Sequence, residues 1–308
     1  MIYDLIIVGG GPAAVAAGVY AARKKLKILV IAGKDGFGGQ SLVSADVQNW
    51  IGTKSVSGFD LGKMLEEHLR SQDEAEVLED FVMKVEKMSA GFRVHTENAK
   101  ALETKTVLVA SGSRRKKLGV SGEKELDGRG VAYCSTCDAP LFKNKIVAVV
   151  GGGNAGLEAV VDLLSYATKI YLLASGDKLK GDPITQEKIV KSGKVEIILQ
   201  AKTSEILGDK FVSGLKYDDG ISKIAKELKL DGVFVEIGSV SNTDFVKDLV
   251  QVNKYGEIIV DHKTQRTSLG GIWAAGDVTD VAYKQNNISA GDAIKAVLNI
   301  YDYLNKNL

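Results

Sequence analysis

Two stretches of the chain carry the same pattern of apolar and polar positions without a gap. DLIIVGGGPAAVAAGVYAARKKLKILVIAG begins at Asp4 and IVAVVGGGNAGLEAVVDLLSYATKIYLLAS at Ile146, so that Gly9 aligns with Gly151. In each, a short apolar run predicts a buried strand, a glycine cluster a turn, a stretch of helical period an amphipathic helix, and a second apolar run the next strand. Gly9, Gly11 and Ala14 fit GxGxx(G/A), and Gly151, Gly153 and Gly156 fit it again. The first glycine permits a tight turn, the second lets a pyrophosphate approach the backbone, and the third lets helix and strand pack closely. Free amides at the helix start then face the phosphates. Two such units in register predict two dinucleotide sites, against the plainer reading of a duplicated fold that kept its turn and lost its ligand. The acid expected about twenty positions on, which bonds the adenosine ribose, is missing from both copies. Ala32 and Ala174 stand there.

After the second unit the chain returns to the first. TSLGGIWAAGDVTD, residues 267 to 280, reads as a strand ending in Gly276 and Asp277, and NNISAGDAIKAVLNIYDYL as an amphipathic closing helix. Asp277 alone reads equally as a turn residue, but its placement suggests one domain inserted in another. We expect residues 1–114 and 244–308 to form the outer domain and 115–243 the inserted one. The joints fall in SGSRRKKLGV (111–120) and EIGSVSNTDF (236–245), which combine glycine or serine with polar residues. The RRKK run reads as a solvated linker.

Charge narrows the classes of partner. The 308 residues hold 40 Lys and Arg against 39 Asp and Glu, so no overall field recruits nucleic acid or an anionic membrane. No run approaches the roughly twenty apolar residues of a membrane span. Asp4 interrupts the first apolar run, so no export signal is read, and a reducing cytosol is the expected compartment. The only two cysteines, Cys134 and Cys137, share the segment YCSTCDAP. In a helical turn their sulfurs would lie on one face, close enough to form and break a disulfide. A zinc site would need more ligands than the scattered His68, His95 and His262 offer, and no metal is expected. A structural disulfide over so short a loop removes little unfolded-state entropy. A redox pair is the favoured reading. Asp138, next to Cys137, either exchanges protons with a sulfur or caps the turn.

The ordered markers VGGGPAA, GGQ (Gly38 to Gln40), QNWIG (Gln48 to Gly52), CSTCDAP, VVGGGNAG, AAGDVTD and KQNNISAGDAIKA resemble those of the low-molecular-weight thioredoxin reductases. About as closely, the chain resembles the flavoprotein of alkyl hydroperoxide reductase without its N-terminal thioredoxin-like module. Either resemblance covers essentially the whole chain and implies an α/β two-dinucleotide-binding-domain flavoprotein, its second Rossmann-like domain inserted in the first. FAD would occupy the outer domain. By position, Gly9, Gly11, Pro12 and Ala13 would hold its pyrophosphate, and Gly39, Gln40 and Asn49 would lie near the isoalloxazine. Asp277 would bond the ribityl chain, and Gln285 and Asn286 would offer amides at the pyrimidine end. Gly151, Gly153, Asn154, Ala155, Gly156 and Ser175 would hold NADPH or, alternatively, NADH.

The donor is where this chain departs from its relatives. NADPH-dependent ones carry an HRR cluster and the NADH-dependent flavoprotein an acid, where this chain reads Ala174, Ser175, Gly176. Lys178 or Lys180, on a loop expected to be flexible, tilts the expectation toward NADPH. A ferredoxin-type donor is the rival. The resemblance further implies that Cys137 faces the flavin, that Cys134 attacks the substrate disulfide, that Asp138 moves the proton, and that the inserted domain rotates about its joints. The expected partner is thioredoxin or a similar thioredoxin-like or glutaredoxin-like protein. A peroxiredoxin-linked carrier and a non-catalytic flavin-binding redox sensor are the alternatives. The family also implies a homodimer. The apolar face of GVYAARKKL would bury against a second copy or belong to the core.

Overall fold

The computed structural model describes residues 2–34, 36–44 and 47–306. The chain divides into two units, Met1–Arg114 with Val240–Leu308, and Arg115–Ser239. Among the described residues no helix is long and apolar enough to cross a membrane.

The outer unit begins β1 (Ile2–Val8), α1 (Pro12–Arg23), β2 (Ile28–Ala32), α2 (Gly58–Arg70) and β3 (Ala75–Glu79). β4 (Val82–Lys87), β5 (Phe92–Thr96), β6 (Ala101–Val109) and the short β7 (Ser113–Arg115) follow. β1 pairs in parallel with β2 and β6, β2 pairs with β3, and β4, β5 and β6 form an antiparallel meander on the far side. Parallel strands are covered on both faces and so read as continuous apolar runs; all five residues of β2 are buried.

α1 corrects the expectation of an amphipathic helix. Pro12, Ala13, Ala14, Val15, Ala17, Gly18, Val19, Ala21 and Ala22 are all buried. Small side chains let its neighbours close in: a Cβ on Gly18 would stand 2.5 Å from the Leu69 side chain of α2. The GVYAARKKL face is therefore core of its own unit, leaving Tyr20 the large apolar side chain exposed along it.

The inserted unit runs β8 (Val131–Ala132), α3 (Ser135–Asp138), β9 (Ile146–Val150), α4 (Asn154–Leu163), β10 (Lys169–Ala174), α5 (Pro183–Lys191) and β11 (Val195–Leu199). β12 (Ala201–Gly208), β13 (Val212–Asp219), β14 (Ala225–Lys229) and β15 (Gly232–Val235) complete it. Its parallel sheet has the order β11-β10-β9-β15-β8. One face packs on the antiparallel sheet β12-β13-β14 through Ile206, Leu215 and Tyr217, and the other on α4 through Leu157, Val160 and Leu163.

The chain returns through β16 (Ser239–Ser241), which lies beside β7, and β17 (Ile272–Ala274), which pairs in parallel with β6. It closes with α6 (Asn286–Lys306), whose Ala293, Ala296, Val297 and Ile300 enter the core that holds α1. The result is an α/β protein with two Rossmann-like domains, one inserted in the other.

Candidate functional site

The two glycine turns are built alike. Gly9 has φ +137° and a Cβ there would lie 2.2 Å from the Ala110 carbonyl oxygen; Gly151 has φ +145° and its Cβ would meet the Glu236 carbonyl at the same 2.2 Å. Neither position admits a side chain. The second glycine of each motif is different in kind. Gly153 has nothing within 4 Å of an added Cβ, and Gly11 has only the Gly39 Cα at 3.9 Å. No protein atom requires glycine at these places, so the space in front of them is open to a ligand. α1 and α4 start at these glycines without a side-chain cap, leaving first-turn amides to an anion. Pro12 and Ala13 open α1, while Asn154 and Ala155 open α4 exposed to solvent. The third positions are packing positions: Ala14 is buried, and a Cβ on Gly156 would sit 1.9 Å from the Gly151 oxygen. Both turns fit a dinucleotide pyrophosphate.

The strand-end alanines also correspond. A Cβ on Gly10 would lie 3.2 Å from the Ala32 methyl, and one on Gly152 would lie 2.7 Å from that of Ala174. Each methyl packs on the middle glycine of its turn. Beyond Ala174, Ser175 is exposed, and the segment bearing Lys178 and Lys180 is not the loose loop expected. Lys180 N donates to Gly152 O (2.7 Å), Asp182 N to Asn154 Oδ1 (2.8 Å), and Gln186 Nε2 to Gly181 O (2.8 Å). The Lys180 amide and the Asn154 side chain hold this loop on the glycine turn, and the Gln186 side chain closes it on itself.

In the outer unit the structure joins residues far apart in sequence. Gln40 Nε2 donates to Asp277 Oδ2 (3.3 Å) and Ser113 Oγ (3.2 Å), and Ser289 Oγ donates to Asp277 Oδ1 (3.2 Å). Asn49 Nδ2 donates to Gln285 Oε1 (3.3 Å) and Asn286 Nδ2 to Ser41 Oγ (2.7 Å). Asp277 stands in a short 3₁₀ turn, Gly276–Val278. The sequence pattern does not single out Ser41, Ser289, Asn287 or Lys284. Asn287 Nδ2 donates to Asn49 O (2.7 Å), and Lys284 Nζ to Asp277 O (3.0 Å) and Thr279 O (2.7 Å). Lys284, Asn287 and Ser289 lie in the marker KQNNISAGDAIKA, and Ser41 follows GGQ in a 3₁₀ turn, Gly39–Val43; the markers themselves assign none of them a role.

Cys134 and Cys137 form a disulfide with Cα atoms 5.3 Å apart. They do not share one helical turn: Cys134 is extended (φ −145°, ψ 101°) and the helix begins at Ser135. Asp138 N donates to Cys134 O (3.0 Å). The Asp138 carboxyl is raised to about 6, chiefly by burial and then by the charge of Asp127. It is poised to hold or release a proton near neutral pH.

Neighbours that the sequence does not announce hold this turn. Ser135 Oγ (2.8 Å) and Thr136 Oγ1 (3.3 Å) both donate to Asp162 Oδ2 of α4. Tyr133 is buried and donates to Glu123 Oε1 (3.0 Å), while the Glu123 carboxylate accepts the amides of Leu118 (2.9 Å) and Gly119 (2.7 Å). Burial, reinforced by Glu123, holds the Tyr133 hydroxyl well above the usual phenol range.

Two dinucleotide turns and a CxxC disulfide define a class: a flavin-dependent disulfide oxidoreductase that uses a pyridine nucleotide. Residues 3–294 match the pyridine nucleotide-disulphide oxidoreductase family, and the chain belongs to it. It is 40% identical over 305 residues to an alkyl hydroperoxide reductase subunit of Staphylococcus aureus (strain MRSA252), covering 99% of this chain and 60% of that one. The chain thus spans about three fifths of the length of such curated relatives. Among solved structures it is similar to the thioredoxin reductase of Streptococcus pyogenes MGAS5005, with TM-score 0.92, 33% identity and 99% of both chains covered. It is also similar to that of Giardia duodenalis, with TM-score 0.91, 30% identity and the same coverage.

Proposed function

We propose that the protein reduces a disulfide of thioredoxin or of a similar small dithiol protein, with FAD in the outer unit and NADPH as donor at the second turn. The observation that carries this is the Cys134–Cys137 disulfide, flanked by Asp138, in the same unit as an uncapped glycine turn with open space at Gly153. Bound at the first turn, FAD supplies the two-electron link between a nicotinamide and a disulfide. Amides at the start of α1 hold its pyrophosphate, and Gln40, Asn49, Asp277, Gln285 and Asn286 orient the rest. Once the pair is reduced, Cys134 attacks the partner's disulfide, Cys137 resolves the mixed disulfide, and Asp138 carries the proton for the departing sulfur. Rotation of the inserted unit about its two crossings, at 114–115 and 239–240, exchanges the dithiol and the nucleotide at the flavin.

Lys180, whose amide donates to Gly152 O of the glycine turn, and Lys178 two residues before it tilt the choice toward the 2′-phosphate of NADPH over NADH. The protein acts as a homodimer in a reducing cytosol. The likeness to alkyl hydroperoxide reductase supports a second reading, in which a carrier of a peroxide-reducing system takes the electrons. Turnover of a disulfide reporter with NADPH, run separately with thioredoxin and with a glutaredoxin-like carrier, decides between them. Absence of turnover with either, in protein carrying FAD, would leave a redox sensor or a ferredoxin-type donor as the account.

A further inference from the structure

Glu236 is a buried carboxylate that none of the roles above uses. It follows β15, its amide donates to Val150 O (2.8 Å), and its own carbonyl is the group that excludes a side chain from Gly151. It is 7% exposed. The Ser135 amide, between the two cysteines, donates to its carboxylate, and the Arg115 guanidinium lies 3.9 Å away. Ser135 is thereby held twice, by Glu236 through its amide and by Asp162 through its hydroxyl.

We propose that Glu236 is a positioning residue for the dithiol: it fixes the backbone between Cys134 and Cys137 and sets the acidity of Cys134 through its own charge. The inference rests on the proposed function, in which the Cys134 thiolate attacks. In that step the Cys134 sulfur bonds to one sulfur of the partner's disulfide, the partner's S–S bond breaks, and the departing thiolate takes a proton. A negative charge one residue from Cys134 opposes its thiolate, and neutralising that charge favours it. Burial lifts the Glu236 carboxyl to about 7; Arg115 and the Ser135 amide pull it down, while Asp162 and Glu158 of α4 push it up. The charge therefore changes within the working range of a cysteine, and the two groups titrate as a pair.

The test is alkylation of the flavin-loaded protein, reduced by excess dithiothreitol, by iodoacetamide from pH 5 to 10, with Cys134 followed by mass spectrometry. In Asp138→Asn, which removes the other carboxyl that titrates beside the pair, the rate should rise over two ionisations, one near the Glu236 value. In Asp138→Asn combined with Glu236→Gln it should follow a single ionisation whose midpoint is lower by about half a unit to one unit. Coincident curves for the two proteins, or a single-ionisation curve in Asp138→Asn, overturn the proposal. If the double variant fails to retain flavin, the Asp138→Asn curve alone decides. No partner protein or nicotinamide enters the measurement, so an absence of turnover would count against the proposed function and leave this result standing.

Discussion

Asp138 and Glu236 are two carboxylic acids beside one disulfide, both lifted toward neutrality by burial. Asp138 is protonated below about 6 and so has its proton to give on the acid side of neutrality. Asp138→Asn should lower turnover by about 100-fold and remove the limb of the pH–rate profile near that value. A profile of unchanged shape and height would remove Asp138 from the chemistry. Cys134, Cys137 and Asp138 were legible because they are contiguous in the chain. Glu236 was not, because only the pairing of β15 with β8 and β9 brings it to Ser135. Glu123 was not legible either: it stands ten residues before the Tyr133 that it bonds, with no spacing rule to mark it.

At the scale of elements, the two glycines of one motif have opposite duties. Gly156→Ala would drive a methyl into the Gly151 oxygen at 1.9 Å and should destabilise the protein by about 2–4 kcal/mol. Gly153 has φ −95° and open space, so Gly153→Ala should keep the melting temperature and weaken nicotinamide binding about tenfold. Thermal melts with a nucleotide titration check both; equal melting temperatures for the two variants would contradict the division of roles. The strand-turn-helix units were readable because their periodicities are local. The surroundings of α1 were not, because α6, which covers it, comes from the other end of the chain, and an Ala-rich helix has few polar positions to mark a solvent face. Gln40, Asn49 and the cofactor role of Asp277 are implied by the family resemblance alone; the hydrogen bonds among their segments span more than two hundred residues and leave no periodic trace.

For the whole molecule, Glu236 ties stability to pH. An unfolded glutamate releases its proton near 4.5 and the folded one near 7. Between those values the folded state holds the extra proton, so raising the pH favours unfolding, and the loss is complete above 7. Glu236→Gln should match the wild type near pH 4 and exceed it at pH 8, by at most about 3 kcal/mol. Urea unfolding at the two values checks this, and a gap that shrinks with rising pH would contradict it. The insertion of one domain in another was legible in the repeated unit and in the return of AAGDVTD toward the first. The central claim is that nicotinamide electrons reach the Cys134–Cys137 pair through a bound flavin. Anaerobic titration with NADPH, followed by flavin absorbance, tests it most directly. The wild type should consume about two equivalents, one for the flavin and one for the disulfide, and Cys134→Ser about one. Equal consumption by both proteins, or a flavin that dithionite bleaches and neither NADPH nor NADH does, would contradict the account.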